Sequence, residues 1–163
     1  MIAILDYGFG NLKSVYNALY VLGEDPVFLS NPLELESVER LIVPGVGSFD
    51  TAMGELERGG WPRALLAFAA TGRPLLGICL GMQILSEFGE EGAGVAGLGM
   101  IPGRVIRLSP DSGLNIPHAG WNTVKIKSGH PVFDGLPLQS DFYFVHSYCY
   151  DCNADDLVLG ETD

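Results

Sequence analysis

The chain has 163 residues, of which 47% are hydrophobic; this is enough for one domain with a substantial core and too little to argue for two. Nine Lys and Arg residues against 20 Asp and Glu residues give a formal net charge of −11, and so acidic a chain repels nucleic-acid phosphates and anionic lipids. No segment approaches the roughly 18 uncharged apolar residues that a membrane span needs.

The N-terminus predicts a β-strand and not an export signal. Residues 2–5 are apolar, and residues 1–6 lack the basic region and cleavage site of a signal peptide. The protein is therefore expected in the cytoplasm. The loop at residues 7–11 has neither a Gly-x-Gly-x-x-Gly fingerprint nor the Lys of a P-loop, which argues against nucleotide binding.

Short apolar strands alternate with helical patterns through the first half of the chain. Gly23 is expected to end the first helix, and Asp50 is expected to cap a later one. The predicted elements are strands at residues 2–5, 26–29, 40–43 and 75–78 and helices at residues 12–22, 50–57 and 62–70. Continuously apolar strands joined through helices predict a parallel sheet covered on both faces, which makes the fold class a doubly wound α/β domain.

Gly45, Val46 and Gly47 follow the third predicted strand, where their backbone N–H groups could face a developing oxyanion. The N–H of Leu80 would be the second donor. An ordinary tight turn explains the same glycines and is favoured on this pattern alone.

The fourth predicted strand runs into Gly77-Ile78-Cys79-Leu80-Gly81 and then into a helix predicted at residues 82–88. This pattern is typical of a nucleophile elbow, a sharp strand-to-helix turn that lifts a reactive side chain above the end of a sheet. A helix N-terminus behind such a turn favours a thiolate. Cys79 is therefore the candidate nucleophile. It lies at the carboxyl ends of the parallel strands, where ligands of such folds bind.

The pattern changes after Glu91. A glycine-rich connection at residues 92–99 precedes strands predicted at residues 105–108, 124–127 and 142–145. These strands predict an antiparallel element, and residues 157–163 begin like another strand.

Three histidines, at positions 118, 130 and 146, are candidate bases for the thiol. None is followed within three residues by a carboxylate that could orient its ring, although a partner could come from elsewhere in the fold. His146 is expected nearest to the site, and a structural or substrate-positioning role is favoured for it. Trp121, Tyr143 and Phe144 are more typical of a core or an interface.

Cys149 and Cys152 have the Cys-x-x-Cys spacing of redox and zinc sites. A redox site needs a helix N-terminus under the first cysteine, and a zinc site needs a second ligand pair. Incidental cysteines at a strand end are therefore favoured, and three cysteines in all are too few for a secreted disulfide framework.

Several of these motifs together resemble one family. The segments that carry the resemblance are residues 6–11, 44–49, 74–83, 97–103, 117–122 and 143–148. They are similar to the class I (triad) glutamine amidotransferases and, within them, to the glutaminase subunits of imidazole glycerol phosphate synthase. The resemblance implies a flavodoxin-like doubly wound sheet with a small antiparallel extension, in a single domain over residues 1–163.

The resemblance also implies an activity and a partner. Glutamine would be hydrolysed through a thioester on Cys79, with no metal or cofactor, and the ammonia would pass to a (β/α)₈-barrel cyclase subunit in a heterodimer. The implied oxyanion donors are Gly45, Val46, Gly47 and Leu80. The residues implied to hold glutamine are Gln83, Glu91, His146, Ser147 and Tyr148. Those implied to face the partner are Asn11, Trp121 and Tyr143.

One departure from the family is expected to matter. The family's catalytic His and Glu lie in a His-Pro-Glu segment beyond the equivalent of Asp163. The domain is therefore expected to lack its last C-terminal elements and to expose an open sheet edge. It is also expected to hydrolyse glutamine weakly or not at all. Three alternatives remain: a non-catalytic module of the same fold, a thiol hydrolase or thiol sensor, and a subunit that feeds ammonia to sugar modification.

Overall fold

The computed structural model describes residues 1–109, 115–127 and 129–162. The four helices and eleven strands of these ranges are β1 (Ile2–Leu5), α1 (Leu12–Val21), β2 (Val27–Leu29), β3 (Arg40–Gly45), α2 (Phe49–Arg58), α3 (Trp61–Ala70), β4 (Leu75–Cys79), α4 (Leu80–Gln83), β5 (Phe88–Gly89), β6 (Val95–Ala96), β7 (Arg104–Arg107), β8 (His118–Ile126), β9 (Gln139–His146), β10 (Tyr148–Asp151) and β11 (Gly160–Glu161). Short 3-10 helices lie at Pro32–Ser37, Pro131–Phe133 and Asp155–Leu157. Within these ranges no helix is long and apolar enough to cross a bilayer.

A four-stranded parallel sheet in the order β2-β1-β3-β4 forms the centre of the molecule. The core includes residues from β1 and β3 and the buried faces of α2 and α3, such as Phe49, Leu56 and Leu65, and it extends to the start of α4 and to β7. The predicted α/β fold with a parallel sheet is confirmed. Coverage of both faces is incomplete at β4, the strand at the sheet edge, where Leu76 and Ile78 are exposed.

The second half of the chain builds two small sheets, and the predicted antiparallel arrangement holds throughout only in the sheet of β8, β9 and β11; the other sheet is mixed, because β5 pairs parallel with β7. One has the order β10-β7-β5-β6 and the other the order β11-β8-β9. Strands β8 and β9 are longer than predicted and pair antiparallel from His118↔His146 to Lys125↔Gln139. The N-terminal half of β8 was missed because its Gly and Asn residues are depleted from strands, so that cross-strand pairing decides its conformation.

The helix predicted at residues 82–88 is wrong, because α4 ends at Gln83. The carbonyl groups of Ile84, Leu85 and Ser86 do not continue the helical ladder. They accept hydrogen bonds from the end of the glycine-rich connection and from the two residues after it, for example from Leu98 N to Ile84 O at 2.8 Å and from Gly99 N to Ser86 O at 2.8 Å. Tertiary hydrogen bonds thus replace a helix that local propensity favours.

Two further boundary predictions need correction. Ser48, and not Asp50, is the N-cap of α2; Asp50 lies in its first turn. The predicted strand does not begin at Leu157, since Leu157 ends a 3-10 helix and, of residues 157–162, only Gly160–Glu161 pair with β8.

Candidate active site

Cys79 lies at a strained turn between a strand and a helix. It is the last residue of β4, has φ 56° and ψ −119°, and is the one non-glycine residue with positive φ in the described part of the chain. Helix α4 begins at the next residue. This is the backbone geometry of a nucleophile elbow, which exposes the side chain of its central residue. Cys79 is indeed exposed.

The glycines around this turn allow backbone to pack directly on backbone. A Cβ atom on Gly81 would lie 1.7 Å from the carbonyl oxygen of Val43, and one on Gly77 would lie 2.5 Å from Cα of Met82. A Cβ on Gly45 would lie 2.6 Å from the backbone nitrogen of Gly81. Glycine at these positions lets the ends of β3 and β4 and the start of α4 meet, which holds Cys79 in place.

A cavity of about 340 Å³ opens at Cys79. Its lining residues are Val46, Gly47, Cys79, Leu80, Gln83, Glu91, Pro117, Val145, His146, Ser147 and Tyr148. The cavity therefore brings together the candidate nucleophile, part of the predicted oxyanion loop and all five predicted substrate-binding residues. Pro117 and Val145 are additions to which the sequence reasoning assigned no role, although both stand in motifs that carry the family resemblance.

The predicted oxyanion loop is only partly exposed to the cavity. Val46 and Gly47 line it, whereas Gly45 is buried in β3 against Gly81 and Leu80. Gly47 has φ +110° and packs closely on Phe9. The conformational freedom of glycine at this φ allows the loop to turn over the sheet end.

Two predicted substrate-binding side chains make hydrogen bonds to neighbouring elements. Gln83 donates from Nε2 to the carbonyl oxygen of Tyr148 at 3.4 Å. Glu91 accepts from the backbone nitrogen of Phe49 at 3.0 Å, at the first turn of α2. Each side chain therefore holds the cavity wall together as well as lining it.

His146 lines the cavity, but both of its ring nitrogens have partners away from the thiol. Nδ1 lies 2.8 Å from the Tyr148 carbonyl oxygen, and Nε2 lies 2.9 Å from Nδ1 of His118. Within the described ranges no hydrogen bond joins Cys79 to a histidine. This geometry fits the positioning role favoured for His146 and does not make it a base. His130 caps a 3-10 helix and does not line the cavity.

Tyr7 is a neighbour of the site that the sequence did not single out. Its side chain is buried, and its hydroxyl has no hydrogen-bond partner among the described residues. Burial first, and then the charge of a Cys79 thiolate, raise the pKa of Tyr7. The phenol therefore stays protonated where thiols ionise. Tyr7 stands in the motif at residues 6–11 that helps carry the family resemblance, but the sequence assigned it no role, because its burial depends on contacts across the sheet.

The residues predicted to face a partner lie in two places. Trp121 and Tyr143 are cross-strand neighbours on β8 and β9, with ring centroids 5.8 Å apart and exposed fractions of 74% and 60%. Asn11 instead caps α1, accepting from Ser14 N at 3.3 Å. An aromatic pair this exposed is typical of an interface.

The positions of Cys149 and Cys152 agree with the interpretation that they are incidental cysteines at the end of a strand. Cys149 is in β10, paired with Ile106, and Cys152 follows the end of that strand. Burial first, and then the charge of Asp151, raise the pKa of the Cys149 thiol, which is the opposite of what a reactive thiol needs.

Comparison with known proteins identifies the family of the chain. The family model "Glutamine amidotransferase class-I" matches residues 3–162. An imidazole glycerol phosphate synthase subunit HisH from Desulfitobacterium hafniense (strain DSM 10664 / DCB-2) is 47% identical over 163 residues, which are 100% of this chain and 76% of the relative. The subunit of the same name from Methanothermobacter thermautotrophicus is 46% identical over 163 residues, 100% of this chain and 79% of the relative.

Solved structures show the same fold at much lower identity. A crystal structure of a glutamine amidotransferase superposes with a TM-score of 0.74 at 19% identity, covering 98% of this chain and 78% of the other. The PurLQS structure from Thermotoga maritima also gives 0.74, at 20% identity, covering 99% of this chain and 73% of the other.

Proposed function

Because the chain belongs to the class I glutamine amidotransferase family, we propose that it serves as the glutamine-hydrolysing subunit of an imidazole glycerol phosphate synthase. The observation that carries the proposal is the cavity at Cys79, where a strained, exposed thiol lies beside Gln83 and Glu91. Similarity to HisH subunits over the whole chain supports the same pathway, histidine biosynthesis.

In the proposed reaction, the Sγ atom of Cys79 attacks the side-chain carboxamide carbon of glutamine. The carbonyl π electrons move to oxygen, and backbone N–H groups of the Val46–Gly47 loop and of Leu80 stabilise that oxyanion. When the intermediate collapses, the C–N bond breaks and the nitrogen takes up the proton that the Cys79 thiol gave up, so that it leaves as ammonia. Water then attacks the thioester, which yields glutamate and restores the thiol.

The cavity walls have a matching role in binding. Its eleven lining residues surround a space of about 340 Å³, within the usual range of small-molecule sites. We assign recognition of glutamine to Gln83, Glu91 and the backbone of residues 146–148, whose polar atoms border the cavity. These positions are held by hydrogen bonds to other elements, so the site is largely formed before glutamine arrives.

The ammonia is proposed to pass to a cyclase subunit with a (β/α)₈ barrel, in a cytoplasmic heterodimer. The names of the relatives describe them as subunits of a synthase, which supports the existence of such a partner. The exposed Trp121–Tyr143 pair offers apolar surface for that contact, with Asn11 as a further contact.

This chain is expected to hydrolyse glutamine slowly. In the described part of the chain no hydrogen bond joins Cys79 to a histidine, and both nitrogens of His146 are bound elsewhere. A positioned general base contributes about 10²–10⁴-fold to such reactions. The rate of ammonia release per protein molecule should therefore be at least about 100-fold below that of the Desulfitobacterium hafniense relative. Both rates are measured with the cyclase subunit and its ligand present.

Binding and chemistry need separate measurements. Iodoacetamide labelling of each cysteine, followed by peptide mass spectrometry, should show that glutamine protects Cys79 but not Cys149 or Cys152. The Cys79→Ala variant provides the background for ammonia release. Absence of protection would overturn the proposal in favour of a thiol sensor. Protection with ammonia release no greater than that of Cys79→Ala would favour a non-catalytic glutamine-binding module, and rates equal to the relative's would contradict the slow turnover.

A further inference from the structure

A chain of hydrogen bonds runs along one end of the β8–β9 hairpin towards the cavity. It links Asn122 Nδ2 to His118 Nε2 at 3.4 Å, His118 Nδ1 to His146 Nε2 at 2.9 Å, and His146 Nδ1 to the Tyr148 carbonyl oxygen at 2.8 Å. His118 and His146 face each other as a cross-strand pair, and the ring of His118 also stacks on Phe144 at 4.8 Å. The chain starts beside the exposed Trp121 and ends on the cavity wall.

The direction of every donor in this chain is fixed from both ends. A carbonyl oxygen only accepts, so His146 carries its proton on Nδ1 and, when neutral, accepts at Nε2. His118 must then donate from Nδ1 and accept at Nε2. At the other end, Asn122 Oδ1 accepts from Thr123 N at 2.8 Å, which turns the amide nitrogen of Asn122 towards His118. Both ends thus specify the Nδ1–H tautomer for both histidines.

The carbonyl oxygen of Tyr148 joins this chain to the substrate side of the cavity. It accepts from His146 and also from Gln83 Nε2 at 3.4 Å. These two donors occupy both lone pairs of the oxygen. Since Nε2 of Gln83 is held there, its Oε1 is the polar atom of that side chain left for a ligand.

We propose that His118 is a positioning residue for the glutamine cavity, which acts through neutral His146 and the Tyr148 carbonyl to fix the side chain of Gln83. This inference rests on the proposed function and assigns a role to a residue that does not line the cavity. Without His118, Nε2 of His146 loses its donor and the ring is free to change tautomer. The Tyr148 carbonyl oxygen then loses the hydrogen bond from His146 Nδ1, which is its second donor beside Gln83 Nε2.

The tautomers provide a first test that needs no substrate and no variant. In the native chain at alkaline pH, long-range ¹H–¹⁵N spectra should show Nδ1–H imidazoles for His118 and His146. His130 is an internal control, because its Nδ1 accepts from Val132 N at 3.1 Å and its proton must lie on Nε2. An Nε2–H tautomer at His118 or His146 would overturn the proposal.

Two variants provide the functional test. His118→Phe keeps a ring to stack on Phe144 but removes the hydrogen bond, whereas His118→Asn keeps a donor close to the position of Nδ1. The measured quantity is the glutamine concentration that half-protects Cys79 from iodoacetamide. It should rise about 2- to 10-fold in His118→Phe, as expected for one lost hydrogen bond, and stay within about 2-fold of the native value in His118→Asn.

The outcomes separate this inference from the proposed function. No protection in the native chain would overturn the proposed function and this inference with it. Two outcomes would overturn the inference alone, provided that glutamine protects the native chain. In one, His118→Phe is protected as well as the native chain; in the other, protection is weakened equally in His118→Phe and His118→Asn.

Discussion

At the residue scale, Cys79 carries backbone strain that most residues avoid. A side chain at positive φ costs about 1–3 kcal/mol when the surrounding structure enforces it. Here the close contacts of Gly77 and Gly81 with neighbouring backbone enforce it. The strained conformation places the thiol at the mouth of the cavity. Positioning the reactive group at this residue therefore lowers the stability of the fold.

The conflict predicts that Cys79→Gly is more stable than the native chain. Without a Cβ atom the strain at φ 56° is relieved, so the free energy of unfolding should rise by about 1 kcal/mol. Urea unfolding followed by circular dichroism measures the change. Cys79→Ala is the matched control, since it removes the thiol but keeps the Cβ atom. Equal stability of the two variants would show that this turn is not strained.

At the element scale, Asp50 joins the first turn of α2 to the glycine-rich connection. Its carboxylate accepts from the Ser48 hydroxyl at 2.8 Å, from Thr51 N at 2.7 Å and from Ala93 N at 3.2 Å. The Ser48 hydrogen bond first, and then the backbone donors, lower the pKa of Asp50 below its ordinary value of 3.8. An acidic group in the first turn also favours the helix.

This lowered pKa predicts a pH dependence of stability. The stabilising effect of the Asp50 carboxylate is complete above its unfolded pKa near 3.8 and is lost as the pH falls through the lower folded value. Asp50→Asn should therefore be less stable than the native chain at neutral pH, and the difference should shrink below about pH 4. Urea unfolding across this pH range tests it. Asp134→Asn is the control, because the Asp134 side chain has no hydrogen bond to the described residues; a similar pH response there would contradict the prediction.

The shortness of α4 shows where element prediction fails. The residues after Cys79 favour a helix locally, and the sequence gives no sign that the carbonyls of Ile84 to Ser86 will accept hydrogen bonds from residues 98–101. Such bonds join segments more than ten residues apart. Long-range backbone pairing therefore overrides local propensity, as it also does at the start of β8.

At the scale of the whole molecule, β4 leaves apolar surface open to solvent. Among the described residues it pairs only with β3, and Leu76 is 46% exposed. An unpaired apolar edge favours pairing with another chain. The net charge of −11 opposes such association through long-range repulsion.

We therefore expect concentration-dependent self-association that increases with salt, because salt screens the repulsion and leaves the apolar contact. Leu76→Lys should weaken it by placing a charge on the edge strand. Leu66→Lys is the control, since Leu66 is 44% exposed but lies on helix α3. Sedimentation velocity at low and high salt measures the association. Equal behaviour of the two variants would show that β4 is not the contact.

The sequence by itself determined the α/β class, the order of the first seven elements and the elbow at Cys79. These features are encoded locally, in apolar periodicity and in glycines spaced around a cysteine. His146 was expected near the site from the sequence, but Gln83 and Glu91 were assigned to the site only by family resemblance, because residues distant in the chain meet through folding alone. Only the tertiary structure decided the rest: the buried hydroxyl of Tyr7 and the paired imidazoles of His118 and His146. Each depends on which backbone and side-chain groups find partners across the sheets, and no local pattern carries that information.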